Sequence, residues 1–109
     1  MSDQFFIKQG DTSPAIRRQF FDGAGNVIPL AGATVLFSMA RNGVTVVDRQ
    51  PCLITGEGDE VAAVYPWKAA DTAKAGTYRA EFEITYDDGA IETVPNDGYL
   101  QINIAEQIA

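Results

Sequence analysis

A chain of 109 residues is long enough to bury the core of one domain and too short for two. Apolar residues make up 46% and charged residues 21% of the sequence, a balance typical of a globular protein and not of a disordered one. Eight basic residues against fifteen acidic ones give a net charge of -7, which repels phosphate backbones, so we expect no nucleic-acid partner.

The first residues and the cysteine count bear on where the protein folds. Residues 1–8 lack the basic start and the long apolar run of a signal peptide, and no segment reaches the length of a membrane span. We therefore expect synthesis in the cytoplasm and no membrane partner. Cys52 is the single cysteine, so an internal disulfide is excluded and packing must stabilise the fold.

The chain begins with a short pattern of the kind found in edge strands. Residues 4–9 place Phe5 and Ile7 on one face and Phe6 on the other. A sheet edge with apolar side chains on both faces is a liability for a free monomer, because it also offers unpaired backbone groups. We therefore expect this strand and the loop after it to form a protein interface. Its predicted residues are Phe5, Phe6, Ile7, Gly10, Asp11 and Pro14.

Two hairpins are predicted next. Residues 15–21 read as a strand, and the segment 22–26 is rich in residues that adopt positive φ easily, so a return through 27–30 is expected. Residues 33–41 alternate in the same way and end at Asn42-Gly43, the strongest short signal for a hairpin.

A long return strand and a further strand follow. The return strand runs from Val44 to about residue 54 and is interrupted near Pro51, where the missing backbone donor requires a bulge or a crossing between sheets. Residues 60–67 alternate again. Trp67 and Tyr65 lie on one side of this run and could form a platform for a sugar, but an inward tryptophan in a sandwich is more often core. We expect Trp67 to pack with Phe37, Phe82 and Ile84.

The clearest strand covers residues 77–86, which alternate without a break. Ahead of it, the spacing of Asp71, Gly76 and Tyr78 is typical of a tyrosine corner, in which the hydroxyl turns back to the backbone a few residues upstream. Turns at Asp88-Gly89 and 95–98 lead to strands at 90–94 and 99–104. The sequence therefore predicts an all-β fold, an immunoglobulin-like antiparallel β-sandwich of seven to nine strands, as a single domain over 1–109.

No group of residues predicts a reaction. Histidine is absent, which removes the histidine-dependent nucleophile systems and the commonest metal ligand. Glu81 and Glu83 lie two apart on the outward face of one predicted strand, where solubilising charge is the simpler interpretation. We expect no enzyme activity, no catalytic residues and no cofactor.

Two acidic groups beside glycine turns contain the oxygen ligands that calcium requires. Neither follows a known ligand spacing, and Asp and Gly favour turns for backbone reasons, so we expect turns and no metal site. Cys52 has no neighbouring partner that would activate it, and we expect a small, partly buried apolar residue. The acidic groups are Asp87, Asp88 and Glu92, and Glu57, Asp59 and Glu60.

Three segments share their order and spacing with a known module. They are FIKQGDTSP at 6–14, AADTAKAGTYRAEF at 69–82 and VPNDGYL at 94–100. Together they resemble the immunoglobulin-like module typified by the N-terminal domain of the baseplate upper protein family of tailed bacteriophages. The resemblance spans nearly the whole chain, although the sequence ends at Ala109 without the extension found in larger members.

The resemblance implies a non-enzymatic virion structural protein that docks on a tail or baseplate, is made in the host cytoplasm and is located in the virion. Its implied partners are other virion structural proteins, with homo-oligomers or repetition by the particle's symmetry, and no small-molecule substrate. Two alternatives remain open: a capsid decoration protein, and a carbohydrate-binding module that uses exposed aromatic side chains.

Overall fold

The alternating segments of the sequence form nine β-strands in the computed structural model, which describes residues 3–108. In chain order they are β1 (Gln4–Lys8), β2 (Ile16–Arg18), β3 (Thr34–Arg41), β4 (Val44–Pro51), β5 (Leu53–Thr55), β6 (Ala62–Tyr65), β7 (Gly76–Thr85), β8 (Ile91–Val94) and β9 (Leu100–Ala105). Two 3-10 turns, Gly58–Glu60 and Ala69–Thr72, lie on either side of β6. Met1, Ser2 and Ala109 lie outside the described residues, and with them the first residues considered for a signal peptide and the last residue of the predicted domain.

The strands form two packed sheets. One has the order β1-β9-β7-β3-β4, with β8 also paired to β7, and the other has the order β2-β6-β5. The immunoglobulin-like β-sandwich is therefore confirmed, at the upper end of the predicted strand number. One pairing differs from the prediction, because β1 runs parallel to β9. The larger sheet is mixed and not antiparallel throughout.

Strand β7 lies at the centre of the larger sheet, and its alternation separates an apolar face from a polar one. Tyr78, Ala80, Phe82 and Ile84 are all buried, whereas the intervening side chains face outward. β3 pairs with one side of β7, and β9 and β8 pair with the other. The predicted strand at 77–86 is thus confirmed, with its bounds shifted by one residue.

The tyrosine corner is also confirmed. The Tyr78 side chain is buried, and its hydroxyl donates a hydrogen bond to the Lys74 carbonyl oxygen at 2.7 Å. Upstream, Asp71 is buried, and one of its carboxylate oxygens accepts hydrogen bonds from the Tyr65 hydroxyl and the Lys68 backbone N–H. These contacts fix the connection between β6 and β7, which crosses from one sheet to the other.

Aromatic side chains form the centre of the core. Trp67 is 4% exposed and packs edge-on against Phe37 and Tyr65, with ring centroids 5.6 Å and 5.4 Å away. Phe37 also packs against Phe82, and Ile84 is fully buried. The predicted core position of Trp67 is confirmed. The sugar platform considered for Trp67 and Tyr65 is wrong, because both rings are inside the sandwich.

The hairpin at Asn42-Gly43 is confirmed, with φ of 52° and 78° at its two central residues. The interruption near Pro51 is a crossing between sheets, since β4 ends at Pro51 and β5 belongs to the smaller sheet. The return at 27–30 is not a strand. The chain does turn back here, with Asp22 accepting hydrogen bonds from the backbone N–H of Ala24 and of Asn26, but the pairing is limited to the Phe21–Val27 bridge and a hydrogen bond from Ile28 to Phe20.

Candidate interaction surface

Strand β1 forms one edge of the larger sheet and has a free backbone side. It pairs only with β9, in the register Phe5 to Ile102 and Ile7 to Ile104. The backbone groups of successive residues in a strand point to opposite sides. The Asp3 carbonyl and the Gln9 N–H both bond to β9, so the backbone groups of every second residue between them also point toward β9. The backbone N–H and C=O groups of Gln4 and Phe6 therefore point to the open edge, where no other strand of residues 3–108 covers them.

The side chains of β1 divide between the core and solvent. Ile7 is 6% exposed, and Phe5 packs on Trp67 with ring centroids 5.8 Å apart. Burying side chains of this size stabilises the fold by roughly 1.5 to 3 kcal/mol each, which anchors the strand. Phe6 points the other way and is 68% exposed. Of the three consecutive apolar residues, Phe6 alone is available to a partner.

The surroundings of Phe6 on the outer face are polar. Asn103, which is its neighbour on β9, donates a hydrogen bond to the Gln4 side-chain oxygen at 3.1 Å and accepts one from Gln101 at 2.9 Å. Thr77 on β7 donates to the same Asn103 oxygen. Phe6 is therefore an isolated exposed apolar side chain beside a connected row of amides.

The loop after β1 is bound to the corner before β7. The Gly10 backbone N–H donates to the Thr72 carbonyl oxygen at 2.9 Å, and the Thr72 hydroxyl donates to the Asp11 carbonyl oxygen at 2.8 Å. Gly10 has φ of 80°, which side-chain-bearing residues rarely adopt. Pro14 is exposed at the far end of the loop, and the Asp11 side chain accepts a hydrogen bond from Gln107.

The six residues predicted for an interface thus have different environments. Phe6, Gly10 and Pro14 are exposed, and Asp11 is half-buried. Phe5 and Ile7 are held by the core and support the strand from behind. The residues that can meet a partner together are Phe6, the free edge of β1 and the rim of the 10–14 loop.

A second surface, which the sequence did not predict, lies at the end of the larger sheet where β7 begins. It is an open groove of about 830 Å³ near the β3–β4 hairpin. The guanidinium of Arg41 lies over the Tyr78 ring at 5.7 Å, and that of Arg79 lies over the Tyr99 ring at 5.3 Å. Arg79 lies on the outer face with Ala40, its partner on β3, whereas Arg41 lies on the core side of the sheet beside the buried Tyr78. None of the side chains that line the groove is acidic.

The groove depends on strand register, so its residues are far apart in the sequence. Ala40 on β3 pairs with Arg79 on β7, and the residue after Tyr99 pairs with Ala80. Gly76 allows Arg41 to lie close to the backbone, because a Cβ there would be 2.6 Å from the guanidinium. The one signal in the sequence was the alternation that places Arg79 on the outward face of its strand.

The carboxylates considered for chemistry lie on the surface and form no metal-ligating cluster within residues 3–108. Glu83 forms an ion pair with Arg49 at 2.9 Å on the outer face, which agrees with a surface role. Hydrogen bonds donated by the Tyr86 hydroxyl and by Asn96 lower the pKa of Glu92 below its ordinary value. These contacts give Glu92 a role in fixing β8 next to β7.

Cys52 is a free, partly buried thiol at the crossing between sheets, as predicted, and burial raises its pKa to about 12. A thiol of that pKa is a poor nucleophile near neutral pH. Within the described part of the chain, no helix is long and apolar enough to cross a membrane.

The three segments that carry the resemblance come together around β7. The first is bonded to the second through Gly10 and Thr72, and the third pairs with β7 through Val94 and Leu100. They therefore form one continuous part of the fold. In comparisons of the whole chain with known proteins, no family model, curated protein or solved structure matches it significantly.

Proposed function

We propose that this protein is a non-enzymatic structural module of a bacteriophage virion, which docks on the tail or baseplate through the edge formed by β1. The observation that carries the docking part is the exposure of Phe6, at 68%, beside the unpaired backbone groups of the same strand. An exposed edge strand is a template on which a neighbouring chain can add its own strand. The side chain of Phe6 then enters the contact as its apolar anchor.

The virion part of the proposal is supported by the resemblance of the three segments to a phage baseplate module. Their contact around β7 adds to this support, because motifs that belong to one module are expected to meet in space. Within the same class of function, a capsid decoration protein is the alternative, and it would use the same exposed edge.

The test is to replace Phe6 by Asp and to measure incorporation into phage particles. Phe6 contributes little to the core, so we expect the isolated domain to keep its fold. In the particle, the new carboxylate would be buried without a partner, which typically costs several kcal/mol, so we expect incorporation to fall at least tenfold, by about 1.4 kcal/mol or more.

The matched control is Phe21→Asp, because Phe21 is 57% exposed and belongs to the turn after β2, not to β1. This variant should be incorporated at the level of the unmodified protein. Normal incorporation of Phe6→Asp would show that attachment uses another surface. Measuring the protein in separated tail and capsid fractions then distinguishes the baseplate hypothesis from the capsid-decoration hypothesis.

A further inference from the structure

Opposite charges are concentrated at opposite ends of the sandwich. Strands β2 and β5 both run antiparallel to β6, and the corner after β6 reverses the chain into β7. The loops that follow β2, β5 and β7 therefore lie at the same end of the molecule. They contain six exposed carboxylates and no basic residue: Asp22, Glu57, Asp59, Glu60, Asp87 and Asp88. We call this the acidic end.

The groove with Arg41 and Arg79 lies at the other end. β3 runs antiparallel to β7, so its hairpin at Asn42-Gly43 is opposite the turn after β7. Neither arginine has an ion-pair partner among residues 3–108. Arg41 uses one N–H on the Ala75 carbonyl oxygen at 3.2 Å, and the remaining donors of both guanidinium groups are available to a ligand.

Within one molecule these charges are too far apart to neutralise each other. They are separated by most of the length of β7, whose ten residues span about 33 Å. At physiological salt, screening reduces interactions between exposed charges beyond about 8 Å. Any anionic partner of the groove therefore comes from outside the molecule, and a carboxylate fits it because a guanidinium binds carboxylates with paired hydrogen bonds.

We propose that the groove binds the acidic end of a second copy of the chain, so that copies associate head to tail. The acidic end is the part of this protein with the matching charge, and Asp87 and Asp88 are exposed in the turn at its tip. Stacking on the Tyr99 ring orients the Arg79 guanidinium on the outer face before the ligand arrives, and Arg41, stacked on Tyr78, lies on the other side of the same end of the sheet. A contact between two different surfaces repeats from copy to copy and generates a ring or a filament.

This contact is separate from the docking edge, because Phe6 is not part of the groove lining. The two proposals can therefore fail independently. Particle incorporation of the Phe6→Asp variant tests the docking edge, whereas self-association of the purified chain tests the groove.

The experiment measures molar mass by size-exclusion chromatography with light scattering over a range of protein concentrations. We expect concentration-dependent association at about 0.02 M salt that weakens at least tenfold at about 0.5 M salt, because the contact is between exposed charges. Arg79→Gln should weaken association about tenfold or more, as should the double change Asp87→Asn with Asp88→Asn. Both keep the size of the side chains and remove the charges.

Mixing these two variants gives the decisive result. The Arg79→Gln protein keeps its acidic end and the double variant keeps its groove, so the mixture should form a one-to-one dimer and nothing larger. Lys74→Gln is the control, since Lys74 is an exposed cation outside the groove. It should associate like the unmodified protein. Melting temperatures within about 2 °C of each other will confirm that every variant is folded.

Four outcomes would overturn the proposal. These are a monomer at every concentration of the unmodified protein, association that Arg79→Gln leaves unchanged, an equal loss with Lys74→Gln, and a mixture that stays monomeric. An equal loss with Lys74→Gln would mean that general charge, and not the groove, drives association.

Discussion

Replacing Tyr78 by Phe removes one hydroxyl from the corner that positions β7 and leaves the rest of the site in place. The hydroxyl donates to the Lys74 carbonyl oxygen at 2.7 Å, and the side chain is 3% exposed. A hydrogen bond of this kind contributes about 0.5 to 1.5 kcal/mol net. The ring keeps its packing and its contact with Arg41, so the lost hydrogen bond accounts for the whole change.

We therefore expect Tyr78→Phe to lower the free energy of unfolding by about 1 to 1.5 kcal/mol, since the hydroxyl is buried and the Lys74 carbonyl loses its donor. For a chain of this length, that corresponds to a fall of roughly 4 to 8 °C in the melting temperature. Urea denaturation followed by tryptophan fluorescence measures the change, provided that the m-value is the same for both proteins.

The control is Tyr99→Phe, because Tyr99 is 50% exposed and its hydroxyl makes no hydrogen bond within residues 3–108. It should change stability by less than about 0.3 kcal/mol. A change below about 0.3 kcal/mol for Tyr78→Phe as well would refute the structural role of the corner hydroxyl.

Three further predictions concern the core, the corner and β8. Trp67 should give blue-shifted fluorescence that iodide quenches poorly; free quenching would contradict its burial. Gly76→Ala should destabilise the protein by about 1 to 3 kcal/mol, because φ of 151° strains any residue with a Cβ; an unchanged melting curve would contradict this. The pKa of Glu92 is lowered in the folded state, so this carboxylate contributes stability above its unfolded pKa that is lost as the pH falls through the folded one. Between about pH 5 and about pH 3, urea melts of the unmodified protein should lose more stability than those of Glu92→Gln, and parallel losses would rule out the contribution.

The sequence predicted those parts of the fold that depend on neighbouring residues. Alternation over 77–86 located β7, since a strand with one buried face needs a period of two. Asn42-Gly43 located a hairpin because both residues adopt positive φ at low cost. The lack of a donor at Pro51 correctly required a break there, although the residues left open whether it was a bulge or a crossing.

The parts that depend on distant residues could not be predicted in the same way. The residues of β1 do not indicate that this strand pairs in parallel with β9, because the two strands lie near opposite ends of the sequence. The turn residues at 22–26 correctly predicted that the chain turns back, but they did not determine how far the pairing extends, which is one bridge between Phe21 and Val27.

The two interaction surfaces show the same division. Alternation in β1 predicted that the apolar side chains lie on two faces, and the structure assigns Phe6 to solvent. Arg41, Arg79 and Tyr99, which line the groove, lie on β3, on β7 and just before β9. The pairing of β3 with β7 and of β7 with β9 brings them together, and no local sequence pattern indicates these pairings.

The most direct test of the proposed function is quantitative mass spectrometry of purified phage particles from cells that make this protein. We expect the chain in intact particles at a copy number that follows the particle's symmetry, and in the tail fraction after tails are separated from capsids. Its presence in the capsid fraction alone would favour a decoration protein. Its absence from purified particles would contradict the assignment to the virion.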